Sequence, residues 1–124
     1  MNEYLKTTKH STFKRYCKVL NLQNDRELIE KYRDIHRPGR VWPEIIHGIR
    51  EVGIIDMEIY LSGNTAFMIM ETLPDFDHER AMKMLSEKPR QSEWEQYVAT
   101  FQQAGSKAAT PEKWQMTERI FVLE

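Results

Sequence analysis

The sequence predicts an α+β fold: a four-stranded antiparallel sheet carrying its helices on one face. Three observations predict it. Apolar periodicity switches between two-residue and 3.6-residue spacing in the order strand, helices, strand, strand, helices, strand. Ser62-Gly63-Asn64-Thr65 separates the two middle strand-like runs as a hairpin turn would. The helical stretches are apolar along one stripe only, so they need a sheet to lie on. Together these give the split βαβ, or ferredoxin-like, pattern.

In chain order, Phe13 to Leu22 reads as a first strand, with Phe13, Cys17 and Val19 on one face and Tyr16, Leu20 and Leu22 on the other. Asn24 and Glu27 form a capping-box signature, predicting a helix from Asp25 to about His36. Pro38-Gly39 breaks that helix, and Pro43 starts the next, at a position where its missing amide costs nothing. Ile45, Ile46, Ile49 and Val52 form its stripe, and Gly53 ends it. Ile54–Leu61 and Ala66–Leu73 are the hairpin strands. Asp77 caps a third helix through Ser86, with Met82 and Leu85 inward, and a Ser92/Glu95 capping box opens a fourth toward Gln103, with Gly105 as its stop. After a loop holding Pro111, alternation from Trp114 to Leu123 describes a last strand. Residues 1–12 read as a polar extension and 13–124 as a single domain. Trp114, Met116 and Ile120, with Met68 and Met70, contribute to faces that cannot all lie under helices. A homodimer through the open sheet face, closing a dimeric α/β barrel, is the expected assembly.

Composition narrows the function. Across 124 residues, 18 basic side chains nearly cancel 19 acidic ones, and no basic stripe forms, so nucleic acid is not an expected partner. One cysteine, Cys17, permits no internal disulfide and no thiolate cluster, which suits a reducing, cytoplasmic setting. No apolar run is long enough for a membrane span. His10, His47 and His78 read as surface groups. No metal-ligand spacing, glycine-rich phosphate loop or serine elbow occurs, so neither metal nor other cofactor is expected.

The chemistry concentrates in Tyr32-x-x-x-His36, followed by Trp42-Pro43-Glu44. At helical spacing Leu28, Ile29, Tyr32, Ile35 and His36 share one arc, so phenol and imidazole point toward the sheet. They are candidate proton-transfer groups, or else core residues satisfied by backbone. Trp42 precedes a proline and must be extended, laying its ring beside the helix end. Glu44 is either a ligand contact or a simple helix-end charge. Trp94 and Tyr97, one turn apart, offer apolar faces to a ring or fill the core.

At these residues the sequence resembles the L-rhamnose mutarotase family, small dimeric ferredoxin-like proteins. Tyr32-x-x-x-His36, Trp42-Pro43-Glu44, Ile59-Tyr60-Leu61, Trp94-x-x-Tyr97 and the stretch from Glu118 to Phe121 carry the resemblance, which spans roughly Phe13 to Glu124. It implies cofactor-free interconversion of the α and β anomers of a 6-deoxyhexose, L-rhamnose first and L-fucose as a close rival. His36 and Tyr32 would be catalytic; Trp42, Glu44, Tyr60, Trp94 and Tyr97 would bind the sugar. Two departures bear on substrate choice: a longer link from His36 to Trp42, and Glu95 where the family pattern has a second tryptophan. Glu95 would either touch a hydroxyl or only complete the cap with Ser92. A non-catalytic sugar-binding or regulatory dimer is the alternative, since fold does not decide function. A cofactorless oxygenase on a similar dimer is a further rival, for which no residue pattern speaks.

Overall fold

The computed structural model describes residues 3–6, 12–103 and 114–124. Its elements are β1 (Lys14–Asn21), α1 (Arg26–Ile35), α2 (Pro43–Glu51), β2 (Ile54–Ser62), β3 (Thr65–Thr72), α3 (His78–Ser86), α4 (Gln91–Ala99) and β4 (Gln115–Met116). The sheet runs β2-β3-β1-β4, and each neighbouring pair is antiparallel. This is the split βαβ order, with β3 between β1 and β2.

Strand alternation decides what the helices cover. In β3, buried Ala66, Met68, Met70 and Thr72 alternate with half-buried neighbours, and in β1 Lys18 and Leu20 are buried. Leu20, Leu22 and Ala66 pack with Tyr32 of α1 and with Phe101; Ile54, Met68 and Met70 pack with Phe76 and Ala81. Met68 and Met70 therefore lie under helices, and it is Cys17, Val19, Phe67 and Ile69 that line the opposite face. Helices of nine or ten residues are too short to persist alone, so this burial is what holds them.

The local signals act largely as the sequence implies. The α1 cap is Asp25, one residue beyond the expected Asn24, because its carboxylate accepts from the amides of Glu27 (2.9 Å) and Leu28 (3.2 Å). Trp42 is extended (φ −58°, ψ 134°) ahead of Pro43, Gly53 takes φ 101° after α2, and Gly63 takes φ 60° in the hairpin. Asp77 caps α3 through the Arg80 amide at 3.1 Å.

Two elements differ from expectation. Helix α4 starts at Gln91 after a left-handed Arg90 (φ 63°), so Ser92 lies inside it and caps nothing; Glu95 instead accepts from Gln91 Nε2 at 3.0 Å. It also ends at Ala99, short of Gln103. The last strand pairs with β1 only at Gln115 and Met116, plus the Thr117 amide to the Cys17 carbonyl at 3.1 Å. Beyond that the chain leaves the sheet and Ile120 is 89% exposed, since nothing described in its own chain faces these side chains. His10, Gly105 and Pro111 lie outside the described residues.

Candidate active site

A cavity of about 830 Å³ lies between the sheet and the helices, within the range of about 300–1,000 Å³ usual for small-molecule sites. Leu20, Ile59, Met68 and Met70 face it from the sheet, Tyr32 and His36 from α1, and Gln91, Trp94 and Glu95 from α4. Each element presents the face that its own periodicity makes apolar, and polar groups such as Lys18, Gln91 and Gln102 interrupt those faces.

Tyr32 is 3% exposed, and its ring centroid lies 4.5 Å from that of His36. The two belong together because they sit one helical turn apart, and α1 ends at His36, its C-cap. His36 Nδ1 is 2.7 Å from the Tyr32 carbonyl oxygen. A carbonyl only accepts, so in the neutral ring Nδ1 carries the proton and Nε2 carries the lone pair. Burial pushes the imidazole below its ordinary value of 6.5, and the hydrogen bond to the Tyr32 carbonyl opposes that shift only in part. Burial also pushes the Tyr32 phenol well above its usual range, so it keeps its proton and serves as a donor. The pair is thus a neutral base beside a hydrogen-bond donor.

The aromatic wall continues outward from there. Trp94, 8% exposed, lines the cavity and meets His36 edge-on at 5.7 Å. Trp42 meets Trp94 at 5.1 Å and stacks with Tyr97 at 6.1 Å with planes 3° apart. Trp42 and Tyr97 do not line the main cavity; they border a shallow depression beside it with Arg90 and Glu93. The Arg90 guanidinium lies 4.1 Å over the Trp42 ring and holds it in place.

Two residues expected to bind a ligand stand elsewhere. Glu44 is exposed, with Arg90 Nη1 at 3.8 Å, which is the helix-end charge role. Tyr60 projects from the sheet face opposite the helices, where its hydroxyl donates to Glu58 at 3.3 Å and its ring meets Tyr4 at 5.7 Å. Alternation along β2 sends Ile59 and Tyr60 to opposite sides, so only Ile59 reaches the cavity. In the link before Trp42, Arg37 and Arg40 both pair with Asp34 at 2.9 Å on the surface. Of the other histidines, His47 is exposed, whereas His78 packs against Tyr16 at 5.3 Å and so is not a free surface group.

Sequence reasoning passed over Lys18, Gln91 and Gln102, all buried and all lining the cavity. Lys18 is 2% exposed with Nζ 4.0 Å from Met82 Sδ. Its signal was present: on β1 it shares the even-numbered face with Tyr16 and Leu20, an unusual place for a lysine. Gln91 and Gln102 carried no such signal, because they stand at the start of α4 and beyond its end, where polar residues are ordinary. Among the described residues no three His, Cys, Asp or Glu side chains gather as a metal site, and no helix is long and apolar enough to cross a membrane.

Known proteins resemble this chain in sequence and in fold. A sequence model of the L-rhamnose mutarotase family matches residues 15–123. An L-fucose mutarotase of Xanthomonas campestris pv. campestris is 37% identical over 112 residues, covering 90% of each chain. A UPF0734 protein of Dictyostelium discoideum is 37% identical over 92 residues, covering 73% of this chain and 72% of its own. The crystal structure of an L-rhamnose mutarotase from Formosa agariphila superposes with a TM-score of 0.59 at 18% identity, over 90% of this chain and 99% of that one, and shares the fold.

Proposed function

This chain belongs to the L-rhamnose mutarotase family, and we propose that it is a 6-deoxyhexose mutarotase in which His36 is the acid/base and Tyr32 the hydrogen-bond donor. The observation that carries the assignment is the Nδ1 contact to the Tyr32 carbonyl, which leaves the Nε2 lone pair on a ring lining the cavity. Nε2 takes the proton of the anomeric hydroxyl as the bond between C1 and the ring oxygen breaks. The ring oxygen leaves with the electron pair, stabilised by the Tyr32 hydroxyl, and the imidazolium returns the proton to it. Both sugar oxygens are bonded to C1, so one imidazole can serve both. The open aldehyde turns about the C1–C2 bond and recloses by the reverse steps on its other face. Proton transfer by a positioned group contributes about 10²–10⁴-fold, a useful gain for a reaction that already runs slowly in water.

Trp94 supplies an apolar face for the sugar ring or the C6 methyl, with Trp42 and Tyr97 supporting it from behind. Likeness to an L-fucose mutarotase over 90% of each chain favours L-fucose, whereas the family resemblance puts L-rhamnose first. The two sugars differ in configuration at C2 and C4, so hydroxyl contacts in the cavity make the choice. We also read the chain as a cytoplasmic homodimer formed across the open sheet face. Supporting this, Ile120, Phe121 and Leu123 are 89%, 73% and 85% exposed in a tail with no strand partner among the described residues. Saturation transfer between the two anomeric proton signals, compared across L-fucose, L-rhamnose and other aldoses, tests the activity. Exchange no faster with protein than without it would leave the non-catalytic sugar-binding reading standing instead.

A further inference from the structure

Two residues that line the cavity each carry a buried acceptor that nothing described in the protein satisfies. Gln91 and Gln102 are 6% and 7% exposed, and the side-chain Oε1 of each is buried without a hydrogen-bond partner among the described residues. Both residues line the cavity that contains His36 and Tyr32. The orientation of Gln91 is settled by chemistry, because its Nε2 donates to Glu95 Oε2 at 3.0 Å and a carboxylate cannot donate in return. The carbonyl oxygen is therefore the atom left over. Gln102 is held through its backbone, which bridges to Leu22 and donates to the Ala99 carbonyl at 3.1 Å.

A buried acceptor left unpaired is costly, so native chains rarely carry two around one cavity without a use for them. We propose that the Gln91 and Gln102 carbonyls accept hydrogen bonds from two hydroxyl groups of the bound sugar and so select its stereochemistry. A pyranose suits the site because each free hydroxyl brings one donor, which an aromatic or hydrocarbon ligand does not. The aromatic side of the cavity takes the apolar part of the ring, and the two amides read hydroxyl positions. This rests on the reading that the cavity takes a 6-deoxyhexose, and it adds which side chains read the hydroxyls.

The test uses Gln91→Met and Gln102→Met, which keep length and remove the acceptor, against L-fucose, L-rhamnose and the 2-, 3- and 4-deoxy forms of whichever binds better. Affinity is measured by calorimetric titration, anomer exchange by saturation transfer, and sugar-free stability by thermal melting. The expected result is affinity weakened roughly five- to hundredfold in each variant, with no loss of sugar-free stability. One deoxy sugar should lose the same factor against the unaltered protein and lose nothing more against the matching variant. Unchanged affinity in both variants, with every deoxy sugar bound as well as its parent, would mean that the carbonyls hold only water and would overturn the inference. So would lowered melting with affinity intact, which is a structural role. If a variant fails to fold, the deoxy series on the unaltered protein still decides: every deoxy sugar bound as well as its parent overturns the inference. Sugar bound through these amides without anomer exchange would uphold the inference and reject the mutarotase mechanism; no binding of either sugar by the unaltered protein would reject both.

Discussion

Replacing His36 by asparagine separates its structural bond from its chemistry. The asparagine side-chain amide stands close to where Nδ1 stands, so it can still donate to the Tyr32 carbonyl that now lies 2.7 Å away. What disappears is Nε2, the only lone pair on that ring. The expected loss in kcat/KM is about 10²–10⁴-fold, or about 3–5 kcal/mol of transition-state stabilisation, while stability near neutral pH changes by less than about 1 kcal/mol because the buried hydrogen bond survives. Saturation-transfer exchange of L-fucose anomers measures the first quantity and urea unfolding the second. The pH dependence supplies an independent check. Burial lowers the His36 pKa below 6.5, so the base stays neutral, and kcat/KM stays flat, to a more acidic pH than a free imidazole would allow. Stability has the matching sign: as pH falls through 6.5 the unfolded chain takes up a proton that the folded chain still refuses. Folding free energy is therefore lost from there down to the folded pKa, and levels off below it. The asparagine variant should lack that increment. Exchange within threefold of the unaltered protein, or an acid limb of kcat/KM that persists in the variant, would refute the role given to His36.

Three further outcomes are expected. Tyr32→Phe keeps the ring against His36 and Phe101 but removes the donor to the leaving ring oxygen, so exchange should fall about 10²–10³-fold with little change in melting temperature; full exchange would remove the phenol from the mechanism. Arg90→Ala and Arg90→Gly both lose the guanidinium over Trp42, but only glycine relieves the left-handed φ of 63°. Urea unfolding should accordingly place the glycine variant above the alanine variant by about 1 kcal/mol, and equal midpoints would show that the backbone there is unstrained. Truncation after Met116 removes the exposed Ile120, Phe121 and Leu123; light scattering coupled to size exclusion should then report a monomer where the full chain is dimeric, and a monomeric full chain would reject the assembly.

Much of the fold is legible because its signals are local. Asp77, Pro43, Gly53 and Gly63 act through their own backbone or the next turn, so their effects need no knowledge of distant residues. The Tyr32 and His36 pair is legible for the same reason, being one turn of one helix. Errors arise where a residue's role depends on where an element begins, on strand parity or on a partner remote in sequence. Glu95 looks like a cap partner for Ser92, yet a left-handed Arg90 starts the helix earlier and hands Glu95 to Gln91. Tyr60 shares a motif with cavity residues but sits on the other side of the sheet, a matter of strand parity against β3. The alternation from Trp114 to Leu123 is strand-like throughout, yet only Gln115 and Met116 find β1.

By itself, then, the order of residues determined the split βαβ succession, the hairpin, and the phenol-imidazole pair on α1, because each follows from backbone preference and apolar period over one or two turns. Only the tertiary structure decided which polar groups share a cavity with that pair. Lys18 from β1, Gln91 from the start of α4 and Gln102 from beyond its end are brought there by packing between sheet and helices. No spacing along the chain encodes that convergence, because it depends on strand order, helix crossing and the start of α4 taken together.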